Sequence, residues 1–130
     1  MGALLYGVNI PEKGGDTLFA NMYEVFDSLS PDLRQFLSRL KAINNADKAA
    51  ISQTRPGGIL KVLKPTNPAV RTHPETGKKA LYISPRFTIG ILDGSDDEGQ
   101  DLLDELIEHS IQRKFIYHHE WKVGDLIMWD

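Results

Sequence analysis

A chain of 130 residues, 41% hydrophobic and 25% charged, has the composition of one ordinary soluble domain with a real core. A net charge of −3 with scattered Lys and Arg leaves no electrostatic footprint for nucleic acid. Cysteine is absent, which excludes disulfides, thiolate nucleophiles and zinc–sulfur sites, and no apolar run reaches the roughly 18 to 20 residues of a membrane helix. The expectation is a single cytoplasmic domain, residues 1–130, with neither a nucleic-acid nor a membrane partner.

Residues 3–10 are apolar and β-prone and stop at Pro11 and Gly14-Gly15, which predicts a strand and a turn, with 17–19 a second short strand. Asn21 with Glu24 spells a capping box, and Met22, Phe26 and Leu29 recur at helical spacing. Ser30 as N-cap and Pro31 at the first helical position open a second helix, with Leu33, Phe36, Leu37 and Leu40 on one face. Residues 44–67 carry little periodicity and a Pro56-Gly57-Gly58 breaker. A long loop is expected there, with a short strand at 59–63; loops of that length in a compact domain are functional or mobile. Residues 68–72, 79–83 and 87–91 read as strands, with a turn at 74–77. Ser95 with Glu98 opens a third helix whose apolar face is Leu102, Leu103, Leu106 and Ile107, with His109 near its C-terminus. Residues 115–121 and 126–129 alternate as strands about a turn at 123–125. The sum is α+β with no alternating βαβ pattern.

Three strings carry more than periodicity. The first is Leu4-Leu5-Tyr6-Gly7 followed by Pro11-Glu12-Lys13-Gly14-Gly15-Asp16-Thr17-Leu18-Phe19. The second is Val70-Arg71-Thr72-His73-Pro74-Glu75-Thr76-Gly77, then Ala80-Leu81-Tyr82-Ile83 and Phe87-Thr88. The third is Trp121-Lys122-Val123-Gly124-Asp125-Leu126-Ile127-Met128-Trp129-Asp130. Each alone is a weak motif; in this order, over nearly the whole chain, they are specific. The chain resembles the Fe(II)/2-oxoglutarate-dependent dioxygenases of the taurine dioxygenase (TauD/TfdA) family. The resemblance implies a partial double-stranded β-helix (jelly roll) with helical insertions. It also implies one Fe(II) in a His-x-Asp…His facial triad, with 2-oxoglutarate and O₂ as co-substrates. The substrate it implies is a small organic acid, a taurine-like sulfonate or an aryloxy acid. This is hydroxylated while 2-oxoglutarate is decarboxylated to succinate and CO₂.

By the same resemblance the triad falls outside the chain. The His-x-Asp string belongs before Leu4-Leu5-Tyr6, and the distal His and a carboxylate-binding Arg belong beyond Trp129-Asp130. The expectation is therefore an internal, truncated piece, inactive alone and without iron or 2-oxoglutarate of its own. The alternative is a non-catalytic, jelly-roll-derived binding or structural module without metal.

Thr17 keeps its family role by resemblance, its hydroxyl donating to the 2-oxoglutarate carboxylate; the competing reading is a β-branched strand residue. Phe87 is implied to lie against the substrate, or else to be a core aromatic. His118-x-Glu120 with His73 or His109 spells a metal site on one strand face, but solvated or strand-surface histidines are the better account, with His109 at a helix C-terminus. Arg71 reads as a strand-end residue with a fold role rather than an anion clamp. Tyr82 and Thr88 read as structural, Trp121 and Trp129 as core, Asp125 as a turn residue and Asp130 as support for a loop.

Overall fold

The computed structural model describes residues 2–44, 66–92 and 96–130. They group into two compact units, Asn21–Phe115 on one hand and Met1–Ala20 with Ile116–Asp130 on the other.

In Asn21–Phe115 the caps work as the sequence spells them. The Asn21 side chain accepts the Glu24 N–H at 3.3 Å to start α1 (Met22–Asp27). Ser30 does the same for Leu33 at 3.3 Å in α2 (Pro31–Leu37), with Pro31 in the first turn. α2 stops at Leu37 rather than running on to Leu40. The Leu40 N–H bonds the Leu37 carbonyl at 3.1 Å, a tight turn that still buries Leu40 and leads into a strand, β3 (Lys41–Asn44). The three-residue spacing of Leu37 and Leu40 had concealed that strand.

β3 is the middle of an antiparallel sheet ordered β4–β3–β7, with β4 at Thr66–Pro68 and β7 at Thr88–Leu92. Pro68 is tolerated because β4 is an edge strand. The predicted loop 44–67 thus gives up Asn44, Thr66 and Asn67 to strands; the rest of it, the strand at 59–63 and the Ser95 cap lie outside the described residues. β5 (Val70–Thr72) and β6 (Lys79–Leu81) form an antiparallel hairpin, Val70 opposite Leu81. α1 packs on β6, and α3 (Asp96–Ser110) packs on β7. Every apolar residue found buried lies in this unit, among them Val25, Leu37, Leu81, Leu103, Leu106 and Phe115.

The second unit is two antiparallel ribbons. β1 (Ala3–Tyr6) pairs with β9 (Leu126–Trp129), and β2 (Thr17–Ala20) pairs with β8 (Ile116–His119). The predicted strand 115–121 is shorter at both ends. Arg113–Phe115 is a 3₁₀ turn that buries Phe115, and Trp121 lies beyond β8. Trp129 is not core as expected. It is 37% exposed and rests on the Phe19 ring, centroids 5.2 Å apart. No described helix is long and apolar enough to cross a membrane.

Candidate functional site

Thr17 opens β2 opposite His119 of β8. Its Oγ1 accepts a hydrogen bond from the Trp121 indole N–H at 2.9 Å. Indole nitrogen only donates, so the direction of this bond is fixed by chemistry. The hydroxyl makes no other hydrogen bond among the described residues. With one of its two lone pairs taken by the indole, Thr17 still has its own proton to donate, which suits an anion.

Trp121 is itself held, half-buried rather than in the core. His119 meets its ring edge-on, centroids 4.7 Å apart at 86°. His119 Nε2 contacts Asp125 Oδ2 at 3.1 Å, and the same oxygen accepts the Lys122 N–H at 2.8 Å. The Tyr117 hydroxyl lies 3.2 Å from His119 Nδ1. A His119 tautomer carrying its proton on Nε2 satisfies both contacts. Asp125 is thus a turn residue, as expected, and also the anchor of His119. Gly7 closes the arrangement: a Cβ there would stand 3.3 Å from Trp121 Cε3 and 3.0 Å from the Lys122 carbonyl. The Gly7 N–H in turn donates to the Asp125 carbonyl at 2.8 Å.

The His118-x-Glu120 spelling does gather a third candidate ligand, and it is Asp16. Ligand atoms of Asp16, His118 and Glu120 lie within 4.8 Å of one another, all on exposed residues. His73 and His109 are committed elsewhere. His73 Nδ1 accepts the Glu75 and Thr76 N–H groups, each at 3.2 Å, while His109 bonds Ser28 and Gln112. His118 Nε2 is 2.8 Å from Asp16 Oδ2, with half of the imidazole exposed. One imidazole and two wet carboxylates do not match the two imidazoles and one carboxylate of the implied iron triad. The described residues therefore do not fit the iron, whereas Thr17 has a hydroxyl proton to offer an acceptor.

Phe87 lies in the other unit, in the turn before β7. It is 41% exposed, with the Arg86 guanidinium 5.6 Å from its ring centroid, so it is not a core aromatic. Thr88 beside it is fully buried; it accepts the Ser84 N–H and donates to Asn44 Oδ1, both at 2.9 Å. Arg71 lies 5.4 Å from the Tyr82 ring centroid, a fold contact rather than a clamp.

The taurine catabolism dioxygenase TauD, TfdA family matches residues 1–130. The chain belongs to this family. This TauD/TfdA chain is 38% identical over 133 residues to the alpha-ketoglutarate-dependent 2,4-dichlorophenoxyacetate dioxygenase of Cupriavidus pinatubonensis, covering 98% of the chain and 46% of that relative. It is 36% identical over 127 residues to the alpha-ketoglutarate-dependent sulfonate dioxygenase of Saccharomyces cerevisiae, covering 92% of the chain and 30% of the relative. Among solved structures, AAD-2 in complex with Mn(II) and N-oxalylglycine superposes with a TM-score of 0.86 at 31% identity, over 99% of the chain and 52% of AAD-2. The TauD/TfdA chain spans less than half the length of these two relatives.

Sequence reasoning missed Asp16 as partner of His118, and Trp121 as partner of Thr17. The second left a trace: a half-buried indole must place its N–H, and Thr17 is a nearby acceptor only once β2 and β8 pair.

Proposed function

We propose that this chain is the part of a TauD/TfdA-type dioxygenase that receives the far carboxylate of 2-oxoglutarate, in a jelly roll whose iron ligands lie elsewhere. The observation that carries the reading is the Thr17 hydroxyl, which accepts from the Trp121 indole through one lone pair and has its proton left to donate. The N-oxalylglycine bound by AAD-2 is, like 2-oxoglutarate, a small dicarboxylate with an oxo group beside one acid. Bound 2-oxoglutarate would supply two of the four electrons that reduce O₂, taking up one oxygen atom as it becomes succinate and CO₂. The hydroxylated organic acid would supply the other two and take up the second oxygen atom. The substrate is a small organic acid, an aryloxy acid or a sulfonate as in the relatives, and Phe87 offers it an exposed flat ring. On this reading the chain alone is inactive, because the one His/Asp/Glu cluster among the described residues, Asp16, His118 and Glu120, does not fit iron.

The test is Thr17→Ala in the full-length enzyme that carries this chain. Loss of a hydrogen bond to a charged group costs roughly 1.5 to 3 kcal/mol, so 2-oxoglutarate affinity falls about 10- to 100-fold while iron affinity holds. Unchanged 2-oxoglutarate affinity would return Thr17 to a structural role. For Phe87, Phe87→Ala should raise KM for the organic acid and leave 2-oxoglutarate affinity alone; an unchanged KM would remove it from the substrate site.

A further inference from the structure

We propose that Trp121 is a positioning residue for the 2-oxoglutarate carboxylate, acting through Thr17: its indole N–H occupies Thr17 Oγ1 and leaves the hydroxyl proton to the co-substrate. The inference rests on the reading of Thr17 given above. A threonine side chain is stiff at χ1, but its hydroxyl proton rotates and takes whichever acceptor is at hand. An N–H donor 2.9 Å from the oxygen removes one sector of that rotation, because a proton cannot point at a proton. It also polarises the hydroxyl, which makes it a better donor in turn.

The device works only if the indole cannot swing, and three features hold it. His119 packs edge-on against the ring, and Asp125 Oδ2 fixes His119 while also accepting the Lys122 N–H. Gly7 gives the ring room that any side chain would close, since an added Cβ would stand 3.3 Å from Trp121 Cε3. Thr17 and Trp121 are 104 positions apart, and their bond is made between side chains of one compact unit. A tryptophan serving only to fill space would need the ring and not the N–H. The two roles therefore separate by chemistry.

The experiment uses the full-length enzyme, titrated calorimetrically with N-oxalylglycine in the presence of Mn(II), so that no turnover intervenes. Trp121→Phe keeps an aromatic ring and deletes the donor. Its N-oxalylglycine affinity should fall roughly 3- to 10-fold, the scale of one neutral hydrogen bond. KM for 2-oxoglutarate should rise in step, with KM for the organic acid unchanged. In a Thr17→Ala background the same substitution should have no further effect on binding, because the proton it orients is gone. Where Trp121→Phe does not fold, benzothienylalanine at position 121 keeps the bicyclic shape and replaces only the N–H, with the same expectations. A drop in melting temperature without loss of affinity would overturn the proposal, as would an equal loss in the Thr17→Ala background. Failure of Thr17→Ala itself to weaken binding is a different result, and it would overturn the Thr17 reading along with this one.

Discussion

His109 near the end of α3 and Ser28 at the end of α1 meet at 2.7 Å, Nε2 to Oγ, although 81 positions separate them. The Ser28 hydroxyl spends its proton on the Val25 carbonyl at 2.7 Å, so His109 is the donor. Its Nδ1 faces the Gln112 amide at 3.1 Å, and its ring meets Phe115 edge-on at 5.3 Å. The histidine sits near a helix C-terminus as expected, yet both nitrogens are committed to tying two helices together.

His109→Ala and Ser28→Ala in the intact enzyme should each destabilise by about 1 kcal/mol, and the double variant by little more than either alone. Thermal unfolding of all three would show the coupling. Fully additive losses would mean that the contact contributes nothing.

What the sequence revealed here was local. Asn21 and Ser30 cap their helices from three residues away, and β9 is a four-residue apolar run just after the Val123-Gly124-Asp125 turn, so both are read without knowing any partner. β3 was lost because its neighbours β4 and β7 lie far along the chain, while Leu37 and Leu40 kept helical spacing. The site divides in the same way. His118 and Glu120 share a strand-face spacing that can be read directly, but Asp16 joins them from 102 positions away. Trp129 was mistaken for core because an apolar strand says nothing about what covers it.

Gly99 offers a prediction whose sign runs against helix propensity. Alanine is the better helix former by about 1 kcal/mol, yet a Cβ at Gly99 would stand 2.8 Å from the Ile91 carbonyl oxygen of β7. Backbone on both sides leaves nothing flexible to yield, and overpacking of this kind costs roughly 1 to 3 kcal/mol. Gly99→Ala should therefore lower the melting temperature. A rise would show that α3 and β7 separate easily.

The β1–β9 ribbon places Leu4 opposite Met128, 64% and 74% exposed, and Tyr6 opposite Leu126, 58% and 64% exposed. Such an apolar face, with unpaired strand edges, promotes association. The 130-residue chain on its own should oligomerise at micromolar concentration, and Leu4→Lys with Met128→Glu, an opposite-charge cross-strand pair, should restore a monomer. Sedimentation would decide, and a wild-type monomer would count against a face that needs covering.

Metal binding bears on where the iron belongs. His118 directs Nε2 at Asp16, both side chains are well exposed, and no second imidazole joins them among the described residues. Binding a divalent ion there would require breaking the His118–Asp16 contact and stripping water from two carboxylates, with a single imidazole to hold the metal. Iron ligation that supports a reaction needs several oriented ligands deprotonated together. The isolated chain should therefore show no one-to-one Fe(II) site of micromolar affinity by anaerobic calorimetry, and His118→Ala should leave the titration unchanged. A stoichiometric site abolished by His118→Ala would place a metal centre on the β2–β8 ribbon and overturn the proposal that the iron ligands lie elsewhere.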